Sequence, residues 1–422
     1  MNARDGASTQ DLLARRVASV REATLALLAG LSAEDCMLQS MPEASPVKWH
    51  IGHVAWFFET FVLEPRQREY RPFDPAFREL FNSYYVGVGE RHPRGQRGLL
   101  SRPSLERVLA YQQSVLERLL TWMDEAAPPA GALDLIELGL QHEQQHQELI
   151  ATDLKHHFWH NPLLPAWRPV AGGVPGGAPG PAAFRRYEAG LAEIGHDGAG
   201  FAFDNESPRH RVWIEAFELA QRPVSNGEYL AFVDDGGYRR PELWLSDGWD
   251  ARCRHGWEMP LYWMRQDGGW HCYTTSGLRP VDEAEPVCHL SYYEADAYAR
   301  WAGARLPTEQ EWERAALLAL EEEGGRDGDF AEAGFLHPQR LRAGKAAFLG
   351  GVWEWTQSAY LPYPGFRPAA GAVGEYNGKF MINQMVLRGG SCATPRSHLR
   401  ATYRNFFAPA SRWQYAGLRL AR

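Results

Sequence analysis

Glu137–Asp153 reads ELGLQHEQQHQELIATD, and its two histidines lie four residues apart. Nothing after Gly139 breaks a helix there, because Leu, Glu, Gln and His are all tolerated in helices. With about 3.6 residues per turn, positions i and i+4 stack on one face, so His142 and His146 can offer two imidazoles to one metal ion. Gln145 falls on the same stripe, as do Leu138, Leu149 and Asp153, while Glu143, Gln144, Gln147 and Glu148 point elsewhere. Such a pair alone does not make a site. A third ligand, a covering segment and a substrate pocket have to come from the rest of the chain.

Outward from this stretch the first 160 residues are helical in pattern. Ser8–Ala29 carries Leu12, Leu13, Val17, Val20, Leu27 and Leu28 near helical spacing, with Thr24 on the stripe where an apolar residue is expected. Ser8 followed by Asp11 resembles a capping box. Ser45 and Pro46 suit the N-cap and first position of a second helix, VKWHIGHVAWFFETFVL, which reaches Leu63 before Pro65 ends it. Ser104 caps a third helix over Leu105–Asp124, and the histidine pair sits on a fourth over Leu133–His157. The expected fold is an up-and-down four-helix bundle over residues 8–160. Its long insertion, Phe73–Pro103, holds Tyr84, Tyr85 and several arginines. Insertions of that length between helices are usually functional.

Asn161–Ala183 has six Pro and five Gly, so it reads as a linker. Residues 184–422 change character: short β-type runs alternate with turns, giving an α+β class overall. Capping boxes mark helices at Ser225/Glu228, Ser291/Glu294 and Thr308/Glu311. Eleven of the sixteen Trp lie after residue 200, which suits a loop-rich core or a pocket wall.

Composition narrows the function. Hydrophobic content of 45% supplies globular cores, and a net charge of −8 without a basic run argues against nucleic acid as the main partner. No apolar window of about 18 residues and no signal-type N-terminus are present, which reads as a soluble, cytoplasmic protein with no membrane partner. The five Cys form no CxxC and suggest no disulfide framework. The third ligand can come from the second helix, where His50 and His53 lie about one turn apart and can both face inward. Spacing does not choose between them. Without a Cys to complete a closed zinc site, three histidines with open positions suit a redox metal.

WHIGHVAWFFE and QHEQQHQE in a four-helix block resemble the DinB-like domain of the EgtB-type sulfoxide synthases of ergothioneine biosynthesis. FELAQRPVSNGEYLAF, PVCHLSYYEADAYARWAGARLPTEQEWERAA, GGVWEWTQS, VLRGGSCATP and AGLRLA resemble the formylglycine-generating-enzyme-like fold, a C-type-lectin variant. The resemblance spans about residues 8–422 and implies iron(II) on three histidines. The family's pattern, a His before an Ile/Leu-Gly/Ala pair together with HxxQH, selects His50, His142 and His146. It implies O2-dependent joining of a cysteine sulfur to C2 of the hercynine imidazole, with oxidation to the sulfoxide.

The same resemblance assigns further residues. Tyr84 and Tyr85 match the Tyr-Tyr pair of the cysteine-using branch, and a phenol can serve as proton donor. Gln145 and Asn405 match hercynine-binding positions, and Phe406 replaces the usual Trp while keeping a π face for the trimethylammonium. Users of gamma-glutamylcysteine carry Asn-Trp-Asp and an Arg four residues further on. Here Phe407 stands for the Asp and Ser411 for the Arg, with Arg412 one residue off, which favours free cysteine. Arg91, Arg94 and Arg97 are candidates for the cysteine carboxylate. The competing readings are gamma-glutamylcysteine as donor, an ovothiol-type synthase acting on histidine, and a non-catalytic metal-binding module. Oligomeric state is not legible.

Overall fold

The computed structural model describes residues 9–126, 128–168, 180–323, 328–340 and 348–422. The chain divides into two compact units, Met1–His160 with Gly371–Val373, and Asn161–Ala370 with Gly374–Arg422. The proposed cap at Ser8 and residues 169–179 of the Pro/Gly-rich stretch lie outside the described residues.

The first unit is built on helices α1 (Thr9–Ala26), α2 (Val47–Phe57), α4 (Leu105–Glu125) and α5 (Ala130–Trp159), with the short α3 (Phe77–Leu80) inside the insertion. α1 packs on α5, and α2 packs on both α4 and α5. Ser104 caps α4 as expected, its Oγ accepting from Arg107 N at 3.3 Å. Leu13, Val17, Val54, Phe58, Val108, Val115, Leu119, Ile136 and Leu140 fill the core. Gly139 permits the close approach of α2 and α5, because a Cβ there would stand 2.6 Å from the Phe58 ring.

Two features depart from simple amphipathic packing. Thr24 is buried, and its hydroxyl donates to Glu143 Oε1 at 2.8 Å and accepts from Gln147 Nε2 at 3.0 Å. Arg21 grips the same carboxylate with two bonds, Nε at 2.8 Å and an Nη at 2.9 Å. The α1–α5 seam is therefore partly polar, and Thr24 belongs there for its hydroxyl. The second helix also changes pitch: after Phe57 it continues as a π-helix over Phe58–Leu63. In that wide turn the buried Glu59 accepts from Tyr70 Oη at 2.8 Å, Tyr111 Oη at 2.6 Å and Phe73 N at 3.1 Å. Those bonds tie the start of the insertion to α2 and α4.

The second unit holds four small sheets and four helices among the described residues. β1 (Phe184–Tyr187) pairs with β4 (Phe217–Ala220), and β2 (Gly190–Ile194) with β3 (His210–Ile214). β5 (Trp263–Gln266), β6 (Gly269–Thr274) and β7 (Gly277–Pro280) form a meander. The central sheet runs β10-β9-β8-β11, from β8 (Trp353–Ala359), β9 (Met385–Arg388), β10 (Asn405–Phe407) and β11 (Ala416–Leu418), with β8 and β11 parallel. α6 (Asn226–Asp234) and α8 (Tyr292–Trp301) begin with the expected capping boxes at Ser225 and Ser291. α9 (Glu309–Glu323) begins after Thr308, whose Oγ1 accepts from Glu311 N at 3.1 Å. α7 (Ser246–His255) has no counterpart in the sequence reading, because Gly248 and Ala251 are its buried residues and it offers no apolar stripe.

Trp312, Trp353 and Trp355 are core residues. Trp312 Nε1 donates to Glu354 at 2.6 Å, and Glu354 also pairs with the fully buried Arg419. The chain is thus of α+β class: a helical unit followed by a sheet-and-loop unit. No helix among the described residues is long and apolar enough to cross a membrane.

Glu143→Ala removes the carboxylate from the Arg21 and Thr24 side chains and leaves a buried guanidinium unpaired. A cost of about 3–5 kcal/mol is expected, read as a lower denaturant midpoint for unfolding, with Glu22→Ala on the exposed face of α1 as a near-neutral control.

Candidate metal centre

His142 and His146 lie on α5, as their spacing requires. The third imidazole beside them is His53: one nitrogen from each of His53, His142 and His146 falls within 4.8 Å of the others. The resemblance read from the sequence selects His50 for this place, and the structure puts His53 there instead. The reason lies in what α2 packs against. Trp49, His53 and Trp56 share one face of α2, at i, i+4 and i+7, and each meets a backbone carbonyl around the end of α3. Trp49 Nε1 donates to Leu80 O at 3.0 Å, Trp56 Nε1 to Arg78 O at 3.1 Å, and His53 Nδ1 to Phe81 O at 2.6 Å.

These carbonyls have no partner within so short a helix, and the α2 side chains satisfy them. His53 is thereby fixed with Nε2 as its remaining ligand atom. Gly52 makes the approach possible, because a Cβ there would lie 2.2 Å from the Phe81 ring. Trp49 and Trp56 flank the His53 ring, stacked at centroid distances of 4.6 and 5.5 Å.

His50 is turned to the neighbouring face. Its Nδ1 lies 2.8 Å from His146 Nδ1 and its Nε2 lies 3.1 Å from Asp153 Oδ2. Asp153, on the α5 stripe as expected, also accepts from Ser45 N at 2.8 Å. Burial lowers the pKa of all four histidines: His53 and His146 well below the ordinary value, His50 less so against the pull of Asp153, and His142 to about 3 with help from His50. The centre therefore presents neutral imidazoles, the form in which histidine binds metals. His142 Nδ1 is buried without a hydrogen-bond partner. A set of nitrogen donors with one buried orphan atom fits a divalent transition metal.

The insertion carries the other candidates of this unit. Tyr85 is buried against Trp56 and Phe61, at ring distances of 5.6 and 5.0 Å. Asn82 shapes this loop, accepting from Tyr85 N at 3.2 Å and donating to Tyr85 O at 3.0 Å. Tyr84 is half-buried and its hydroxyl accepts from Arg94 at 3.3 Å. Arg91 and Arg94 are exposed. Arg97 is buried, with its guanidinium carbon 3.3 Å from the Trp49 ring centroid and an Nη donating to Ser45 Oγ at 2.9 Å. It makes no ion pair with a carboxylate among the described residues, and nothing in its sequence context distinguishes it from Arg91 and Arg94. Gln145 is half-buried on α5.

In the second unit Asn405, Phe406 and Phe407 form β10, all half-buried. Phe406 stacks on Tyr360 at 4.1 Å, with Phe380 at 5.8 Å and Tyr376 at 6.3 Å. This aromatic cluster is absent from the sequence reading because its members come from β10 and from segments far apart in the chain. Phe407 meets Trp413 edge-on at 5.7 Å. Arg412 is committed to Glu294 at 2.7 Å.

Residues 16–150 match the DinB superfamily, and residues 183–340 and 339–422 match the sulfatase-modifying factor enzyme 1-like domain. Fold and site thus define a two-domain enzyme, a DinB-type helical domain joined to a sulfatase-modifying-factor-like domain. The chain is 34% identical to the hercynine oxygenase of Mycolicibacterium thermoresistibile over 97% of its own length and 94% of the relative's. It is 34% identical to that of Mycobacterium tuberculosis over 98% of its own length and 99% of the relative's. The chain belongs to the hercynine oxygenase family, and the EgtB-type resemblance read from its motifs holds. The solved structure of PvdO from Pseudomonas aeruginosa, at 19% identity and a TM-score of 0.40 over 57% of this chain and 93% of its own, adds nothing to that assignment.

The depressed histidine pKa values set an acid limit on the metal-free protein. An unfolded histidine takes up its proton near pH 6.5, whereas His53, His142 and His146 in the folded state do not. The unfolded state then binds more protons below that pH, so stability falls as pH falls, by about 1.4 kcal/mol per histidine per pH unit. Denaturant titrations of metal-free protein at pH 7.5 and 5.5 should show the loss, and His53→Phe should reduce it.

Proposed function

We propose that the protein is an iron(II)- and O2-dependent sulfoxide synthase that joins cysteine to C2 of the hercynine imidazole. The observation that carries this reading is the cluster of three neutral imidazoles, the buried His53 and His146 and the half-buried His142, with no thiolate or carboxylate ligand in the group among the described residues. The overall reaction balances: one thiol S–H and one ring C–H are lost, a C–S bond and an S=O bond form, and O2 is reduced by four electrons to the sulfoxide oxygen and one water. Iron(II), when bound, supplies the redox centre with open positions for substrates. His53 is assigned as third ligand in place of His50, on the strength of its position in the cluster.

The chain's own residues then divide the remaining tasks. Arg97, a buried cation without a carboxylate partner, takes the cysteine carboxylate, in preference to the exposed Arg91 and Arg94. It lies one aromatic layer from His53, across Trp49. Tyr84 or Tyr85 delivers a proton to the reacting oxygen, and Asn82 holds the loop that carries them. Gln145 and Asn405 bind hercynine through amide groups. Phe406 belongs to an aromatic cluster of the kind that receives a quaternary ammonium. Phe407 leaves no carboxylate for the amino group of gamma-glutamylcysteine. Arg412, one residue from the position where such an Arg is expected, is already engaged by Glu294. In this reading the domains span 8–160 and 184–422, joined by 161–183.

Iron(II)-reconstituted protein given O2 and hercynine should yield hercynyl-cysteine sulfoxide, mainly from free cysteine, with products read by mass and NMR. Preference for gamma-glutamylcysteine would overturn the donor assignment. Product from histidine alone would move the activity to the ovothiol type, and absence of oxygen uptake with every pair would leave a metal-binding module. His142→Ala should lose iron and activity together. Tyr84→Phe and Tyr85→Phe should both retain iron, and one of them should lose about a hundredfold or more in sulfoxide formation. Unchanged product yields in both and in the double variant would remove the tyrosines from the chemistry.

A further inference from the structure

His50 is buried, stands outside the imidazole cluster, and uses both ring nitrogens. Asp153 is buried too, and its Oδ2 accepts from Ser45 N as well as facing His50 Nε2. The direction of every hydrogen in this chain follows from its end. Asp153 Oδ2 already accepts from a backbone N–H and accepts from the ring as well, so His50 Nε2 carries the proton. A neutral imidazole has one donor and one acceptor, so His50 Nδ1 is an acceptor. His146 Nδ1, at 2.8 Å, must then donate. That leaves the lone pair of His146 on Nε2.

We infer that Asp153 and His50 are positioning residues for the metal centre: the relay Asp153–His50–His146 sets the tautomer and ring orientation of His146, so that Nε2 is the ligand atom. A carboxylate behind a ligating histidine commonly does this directly and raises the basicity of the ligand. Here a second imidazole is interposed, which carries the influence of Asp153 from about two turns further along α5. The inference rests on His146 being a ligand. It also accounts for a histidine that lies within hydrogen-bonding distance of the cluster and is not part of it.

The tautomer can be read without any metal. Long-range 15N–1H correlation spectra of metal-free, 15N-histidine-labelled protein should show His146 protonated at Nδ1. His50→Phe keeps a ring in place and removes both nitrogens, and should release His146 to the Nε2–H form or a mixture. His50→Asn places an amide oxygen near the lost Nδ1 and should restore the Nδ1–H form. Anaerobic iron(II) binding should weaken about 10–100-fold in His50→Phe and recover in His50→Asn. Asp153→Asn serves where His50→Phe does not fold, and should weaken binding in the same direction.

A His146 protonated at Nε2 in the wild type would overturn the inference, as would unchanged tautomer and iron affinity in both His50→Phe and Asp153→Asn. Failure of the wild type to bind iron(II) would instead overturn the metal assignment, and the tautomer result would still report on the relay.

Discussion

The imidazole cluster of the helical unit depends on a local mismatch that two elements resolve together. α3 is a single turn, so the carbonyls of Arg78, Leu80 and Phe81 have no helical partners of their own. Trp49, His53 and Trp56 on α2 have ring N–H groups that would be costly to bury unpaired. Each supplies what the other lacks. The exchange docks the insertion on α2, fixes the His53 tautomer, and sets the flat faces of Trp49 and Trp56 against the imidazole. The absence of a Cβ at Gly52 is what lets the Phe81 ring come close enough.

This dependence explains which parts of the site were legible in the sequence. His142 and His146 could be read because their relation is internal to one helix, and helical geometry needs no knowledge of neighbours. The same holds for the caps at Ser104, Ser225, Ser291 and Thr308, where donor and acceptor lie three residues apart. The choice between His50 and His53 was different. Both sit on the bundle-facing side of α2, and a tertiary partner on an irregular insertion decides between them. The stripe Trp49–His53–Trp56 was a usable signal, since three ring N–H donors on one face require acceptors. Thr24 and Arg21 show the converse: polar residues on an apparently apolar stripe gain their sense only when Glu143 is seen across the α1–α5 seam. α7 could not be read, because its buried face is made of Gly248 and Ala251 and carries no hydrophobic period.

The second unit spends its buried charge differently. Arg388 and Arg404 share Glu309, Arg388 also reaches Glu313, and Arg419 is held by Glu354, all in nearly complete burial. Networks of this kind are poor sources of net stability but strict about geometry, and here they fix helices and strands of a loop-rich domain. Arg412 belongs with these structural cations through Glu294. Arg97 does not. It is a buried guanidinium with no carboxylate partner among the described residues, held by a tryptophan face and the hydroxyls of Ser45 and Ser83. A cation so placed is stabilised further by an anion entering its surroundings, and this separates it from every arginine whose charge is already answered.

Ser45 joins these features. Its backbone N–H supports Asp153, its hydroxyl accepts from Arg97, and its carbonyl lies 3.3 Å from His157 Nε2. One residue at the start of α2 thus holds the carboxylate at the end of the imidazole relay and the cation proposed for substrate. Ser45, read from the sequence as the N-cap of the second helix, lies one residue before that position: Pro46 is the N-cap, and no side chain caps that end. The Ser45 hydroxyl is used by Arg97 instead, so the residue type that signals a helix start serves here to tie the proposed carboxylate anchor to the histidine cluster.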